Sequence, residues 1–228
     1  MKAQIKQLHK PVAQIGFWSA LLTTVWTIWF IATFAPYMAT LPEWSGIEAF
    51  AASFEPVPYL AWVIPCLLLA LTFPVLMSSI HFYAPDDKKI WSWLGLVFAI
   101  MYGAVLSANY FVLMGVVRES LVSGYTEGLA WFVIGSPHSI TNTLEGIGYG
   151  FMGLATLFAG PAFDGGGLEH WIRWVFIVNG VAGIAGVVLG GMGIMAATMV
   201  SLVAWGVTFP FGTVLVAVLF KRAGQMAV

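Results

Sequence analysis

Apolar residues run through this chain in long blocks, not in alternation. Six blocks stand out, at about 15–37, 58–82, 90–117, 138–162, 170–192 and 195–220. Each matches the roughly 20 residues a helix needs to cross a bilayer. The alternating segments of about 10 residues expected of barrel strands are missing. In hydrocarbon the backbone must satisfy its own hydrogen bonds, so blocks of this length are predicted to be helices. The chain is read as all-α: a polytopic integral membrane protein, a six-transmembrane-helix bundle forming one domain over 15–220. A segment 1–14 precedes it and a tail 221–228 follows.

The punctuation fits. Pro58 opens the second block, and Ala84, Pro85, Asp86 and Asp87 end it in a turn. Ser136 followed by Pro137 reads as an N-cap with proline at the first helical position of the fourth. Asp164, Gly165, Gly166 and Gly167 make a tight turn before the fifth, and Met192 with Gly193 turns the chain into the sixth. Two segments fall between blocks. Over 42–55, bracketed by Pro42 and Pro56, the residues Trp44, Ile47, Phe50, Ala51 and Phe54 recur at helical spacing, with Glu43, Glu48 and Glu55 off that stripe. This predicts an amphipathic helix on the outer surface, or a lid over the bundle. Over 119–135, Leu129–Ile134 is expected to dip into the membrane interface. Trp18, Trp91, Trp93, Trp171 and Trp174 lie near block ends, as in an aromatic belt.

Composition agrees: 60% of the 228 residues are apolar and 8% charged, against about 25% charged in soluble domains. Mean hydropathy is +0.91. The net charge of −1 argues against nucleic-acid partners. Charge also orients the chain. With the N-terminus inside, Lys2, Lys6, Lys10, Lys88, Lys89, Arg173, Lys221 and Arg222 all fall on the cytoplasmic side, and only Arg118 outside. Both termini are therefore expected in the cytoplasm. The single cysteine, Cys66, excludes an intrachain disulfide and reads as a small core residue. The first block is too long for a signal-peptide core and reads as a retained helix. No lysine lies within the sixth block, which excludes a retinal Schiff base there.

Against this background Glu145 stands out as the only carboxylate inside a spanning block. An acid at mid-helix costs roughly 2.5–3.5 kcal/mol to insert, which makes it a functional candidate by default. Its i±3 and i±4 neighbours include Asn142 and Tyr149, so the three share a face. Gly146 and Gly150 form a GxxxG pair where another helix is expected to approach closely. At 1.5 Å per residue, Glu145 lies roughly 10 Å below the outer end of its span and Asn109 roughly 12 Å below the end of its own. Pro65 is expected to free a backbone carbonyl on the second helix. An outer-half cavity lined by Trp26, Trp29, Trp62, Asn109, Glu145 and Tyr149 follows, with Asn142 on the same face and His138, seven residues before Glu145, as a proton entry.

Other chemistry is sparse. His81 and His170 are weak metal candidates at the inner surface, without HxxxH or HExxH spacing. Asn179, Thr208 and Pro210 make a second polar level, read with the glycines at 180, 183, 186 and 190 as helix packing. There is no nucleophile motif, phosphate-binding loop or basic–aromatic patch. No cofactor is expected.

Four stretches together, Tyr83–Ser92, Ser107–Val112, Leu144–Ala159 and Gly167–Trp174, resemble a family of uncharacterised six-helix membrane proteins of prokaryotes. The resemblance covers most of 60–220. It implies a multi-pass protein of the prokaryotic plasma membrane and brings no activity with it. Three functions stay open. The first is binding or transport of a small amphipathic, cationic molecule at Glu145, through charge and cation–π contact or with Glu145 held neutral as a proton shuttle. The second is an accessory role in a homo-oligomer or membrane complex, with Glu145 only tying helices together. The third is a membrane enzyme using Glu145 as acid or base on a lipid, which would need a second titratable group close by.

Overall fold

The computed structural model describes residues 9–225, apart from the side chains of 195–198. Lys2 and Lys6, used in the charge argument, lie outside the described residues, as does the end of the expected tail. Among the described residues all regular structure is helical: α1 (Lys10–Thr40), α2 (Ile47–Ala52), α3 (Pro56–Tyr83), α4 (Lys89–Val112), α5 (Arg118–Val122), α6 (Ile140–Ala159), α7 (Leu168–Gly191) and α8 (Met195–Gln225). A π-helical stretch, Leu113–Val117, carries α4 into α5 without a break.

Five stretches are long and apolar enough to cross a membrane: Lys10–Thr40, Pro56–Tyr83, Asp86–Val122, Leu168–Gly191 and Met199–Gln225. This is the architecture of a membrane protein. The long helix outside that set, among the described residues, is α6, whose hydropathy is diluted by Asn142, Glu145, three threonines and four glycines.

The long helices form a closed ring. α1 packs on α3, α3 on α4, α4 on α6, α6 on α7, α7 on α8, and α8 returns to α1. Short connections make neighbours antiparallel. The 41–55 segment with α2, the 123–139 segment and the 192–194 turn therefore share one end, here the α2 end. The turns at 84–88 and 160–167 share the other. The middle of the ring is filled by Phe73, Tyr102 and Phe209, all fully buried, with Phe73 edge-on to the other two at 5.5 Å. Apolar residues such as Val200, Val203 and Val207 are exposed at helical spacing on α8, as a lipid-facing stripe requires. Trp18, Trp91, Trp93, Trp171 and Trp174 are exposed too.

Polar contacts tie neighbouring helices. Asn179 on α7 donates to Thr156 on α6 (3.1 Å) and accepts from Thr208 on α8 (2.9 Å). Thr24 and Thr213 join α1 to α8 at 2.8 Å. At the end opposite α2, the Tyr83 hydroxyl donates to Glu169 (2.7 Å), whose other oxygen accepts from the Gly165 amide (2.9 Å). Lys88 and Arg173 both pair with Asp164.

Four expectations are corrected. The surface helix over 42–55 shrinks to six residues, because Gly46, at φ +124°, breaks the chain just before it. Of the two readings of its apolar stripe, the one that turns it onto the bundle agrees with the structure, and the lipid-facing one does not. Phe50 is buried, Trp44, Ile47, Ala51 and Phe54 pack on the core, and Thr126 donates to Glu48 at 2.7 Å. Leu129, Val133 and Ile134 likewise bury themselves in the bundle, leaving Trp131 exposed. α6 is capped by Ser139, which accepts from the Asn142 amide, so Pro137 and His138 lie before the helix. The carbonyl freed by Pro65, that of Ala61, is occupied: Thr33 of α1 donates to it at 3.1 Å.

Candidate functional site

The site begins with a contact between two glycines. At the middle of the bundle α6 and α7 touch backbone to backbone. A methyl group at Gly180 would sit 2.6 Å from the Gly153 carbonyl oxygen, and one at Gly153 would sit 3.1 Å from that of Gly180. From there the two helices part toward the α2 end. At Gly150 the nearest neighbour is the Val187 side chain, at 3.6 Å, and at Gly146 a methyl group would meet nothing within 4 Å. The close approach predicted at Gly146 and Gly150 is thus realised one to two turns further along, and Gly146 faces open space.

That space is a cavity of about 920 Å³ bounded by α1, α6, α7 and α8. It lies near the top of the range of small-molecule pockets, roughly 300–1,000 Å³. Aromatic walls come from Phe30 and Phe34 on α1, Tyr149 on α6 and Trp205 on α8. α7 supplies a small-residue wall that includes Gly183, Gly186 and Gly190. Ser139, Asn142 and Thr143 line the α2 end of the cavity with His138, whose ring lies 6.3 Å from that of Trp131. Trp205 is fixed from two sides. Its Nε1 donates to Met152 Sδ at 3.2 Å, and its ring is edge-on to Tyr149 at 5.2 Å and stacked on Phe209 at 5.7 Å.

Glu145 lines this cavity and is half-buried. Its carboxylate makes no well-formed hydrogen bond to a described residue. On its buried side, the groups within its electrostatic reach are Tyr59 and Cys66 on α3 and Tyr102 and Tyr110 on α4, besides Tyr149 on its own helix. The Tyr110 hydroxyl lies close to Glu145, Cys66 and Tyr149, yet completes a hydrogen bond of good geometry with none of them. Among the described residues no lysine or arginine lines the cavity.

Several predicted residues are placed elsewhere. Asn142, Tyr149 and His138 line the cavity with Glu145; Trp26, Trp29, Trp62 and Asn109 do not. Trp62 is wholly buried at the α1–α3 contact, edge-on to Phe34, Tyr59 and Tyr110. Asn109 is buried with its Nδ2 unpaired. Trp29 is exposed, and Trp26 packs beside it at 5.8 Å. Sequence reasoning missed Phe30, Phe34 and Trp205. Trp205 carried a usable signal, as a tryptophan far from either end of its helix, where an interfacial anchor is not expected. His81 bonds Ser92 at 2.9 Å and His170 packs on Trp171 and Trp174. Among the described residues no group of three or more His, Cys, Asp or Glu side chains could hold a metal.

No family model, curated protein or solved structure matches this chain. The site is therefore read from its own chemistry. The described residues that line the cavity supply one carboxylate, no lysine or arginine and four aromatic faces, the surroundings that attract positive charge.

Proposed function

We propose that this protein binds a small amphipathic cation in the cavity beside Glu145. The observation that carries the reading is a half-buried carboxylate with no cationic partner among the described residues that line a roomy aromatic cavity; only the neutral Tyr110 hydroxyl of α4 lies close to it. A carboxylate retained only to tie helices would be expected to engage a donor on a neighbouring helix. Here it has no well-formed bond to one.

We further read the chain as six-spanning, with α6 as the sixth span. Its position in the ring between α4 and α7 supports this. Of the described basic residues, Lys10, Lys88, Lys89, Arg173, Lys221 and Arg222 belong to the end opposite α2, and Arg118 lies toward the α2 end. The positive-inside rule then places both termini in the cytoplasm and opens the cavity toward the outside. The resemblance to six-helix prokaryotic membrane proteins supports a plasma-membrane location.

The test uses the purified protein in detergent with tetraphenylphosphonium as probe and tetraphenylborate, similar in shape and opposite in charge, as control. The cation should raise the unfolding temperature and the anion should not. At a hundredfold excess over Kd the gain is about 2.7 kcal/mol. Glu145→Gln should fold normally and lose the response. Equal binding of the cation by Glu145→Gln and the native protein would refute the reading.

A further inference from the structure

The charge inventory around Glu145 points beyond binding to what binding is coupled to. α1, α7 and α8 present no titratable side chain to the cavity; their contributions are phenylalanines, glycines, Val187, Ser201, Leu202 and Trp205. α3 and α4 bring only neutral groups within its reach, three tyrosine hydroxyls and the Cys66 thiol. α6 adds Tyr149, and the segment just before it adds His138. The described lysines and arginines all lie outside the cavity lining. Among the described residues, therefore, no cationic side chain lines the cavity to neutralise a charged Glu145.

An uncompensated carboxylate inside a bundle is costly, and the ordinary way to avoid the cost is to take a proton. A cationic ligand removes the need for that proton, because it brings the missing positive charge itself. Proton and ligand then compete for one carboxylate, and the site stays electrically neutral in both states.

We infer that Glu145 exchanges one proton for one cationic ligand, so that each binding event releases a proton from the cavity. This rests on the reading that the cavity binds a cation. The step balances: the carboxyl O–H proton passes to water, the carboxylate remains, and the ligand charge replaces that of the departed proton. In a membrane, a site that binds either a proton or a cation is the minimal element of an exchanger driven by a proton gradient.

Calorimetric titration of tetraphenylphosphonium, in pairs of buffers that differ in ionisation enthalpy and that each buffer at the pH used, counts the protons released. The measurement runs from pH 5 to pH 9. About one proton per bound cation is expected over part of that range, with apparent affinity falling toward tenfold per pH unit on its acid side. His138→Gln, whatever it does to affinity as a lining residue, should still release about one proton per cation bound, which separates Glu145 from the histidine at the cavity's α2 end. Cation binding that depends on Glu145 but releases no proton at any pH would overturn the exchange and leave the binding site standing. Proton release that disappears in His138→Gln would reassign the exchange away from Glu145. Absence of Glu145-dependent binding would overturn both the exchange and the reading beneath it.

Discussion

Gly146 and Gly153 lie seven residues apart on one face of α6, and replacing each by alanine should move stability in opposite directions. At Gly146 the new methyl group would meet no atom within 4 Å. The substitution then acts through the backbone alone, where alanine is favoured over glycine in a helix by about 0.8–1.0 kcal/mol in water. A gain of up to about 1 kcal/mol is expected. At Gly153 the methyl group would lie 3.1 Å from the Gly180 carbonyl oxygen and 3.2 Å from the Ile184 nitrogen. Both are backbone atoms of α7 and can yield only if the helix yields. Overpacking of this kind costs about 1–3 kcal/mol, which outweighs the propensity gain. The assay is reversible unfolding in mixed micelles, with the two variants and the native protein compared at one detergent composition. A loss at Gly146 as large as that at Gly153 would mean that α6 and α7 stay in contact along their length. The cavity would then not exist as described. A neutral Gly153→Ala would remove the contact from which the helices diverge.

Two further outcomes follow from particular contacts. Thr33→Val removes the side-chain donor 3.1 Å from the Ala61 carbonyl, which Pro65 deprives of its helical partner; because the same hydroxyl also reaches the Trp29 and Phe30 carbonyls of its own helix, the loss should be at most about 1 kcal/mol. It should shrink in the Pro65→Ala background, where the backbone donor returns, and an unchanged loss there would show that Thr33 acts otherwise. Trp205→Leu keeps apolar bulk and removes the π face from the cavity wall. Cation–π contacts of about 0.5–2 kcal/mol translate into roughly two- to thirtyfold weaker tetraphenylphosphonium binding in an isothermal titration, and undiminished affinity would exclude Trp205 from the ligand contact.

Helix positions were legible because hydrophobic block length is a direct consequence of bilayer thickness. The chain breaks at Ala84–Asp87 and at the 164–167 glycine turn are where backbone chemistry demands them, while the second long helix opens at Pro56, two residues before the expected Pro58. What periodicity could not supply was convergence. Helix rise per residue predicts similar depths for Asn109 and Glu145, but depth says nothing about which faces meet. Asn109 is buried away from the cavity. Phe30 and Phe34, at unremarkable positions on α1, face it because α8 closes the ring onto α1. That closure joins residues about 190 apart in sequence, as in the Thr24–Thr213 bond, and no local pattern encodes it. Glycine spacing failed for a related reason. Gly146, Gly150 and Gly153 recur at helical intervals and look alike, yet only the last touches the neighbouring backbone, because the angle between α6 and α7 decides where contact ends.

The same geometry explains how so polar a helix persists in an apolar chain. Glu145 would cost roughly 2.5–3.5 kcal/mol on a lipid-exposed helix, and α6 falls outside the set of strongly apolar spans. Its neighbours remove it from that comparison. Gly148 lets Leu106 of α4 lie against the α6 backbone, where a methyl group would stand 2.6 Å from the leucine side chain, and Gly95 of α4 meets the Ala155 carbonyl in the same way at 2.9 Å. On the other flank Gly153 and Gly180 bring α7 equally close. Clamped on both sides over its middle, α6 draws its stability from helix contacts, and its remaining face is free to be polar. The contacts stop at the turn where the cavity begins, and Glu145 lies on that turn's side of the divide. The glycines that hold α6 and the acid that would otherwise destabilise it are thus parts of one arrangement. Loss of the Gly153–Gly180 contact should therefore weaken cation binding at Glu145 even though neither glycine belongs to the polar end of the cavity.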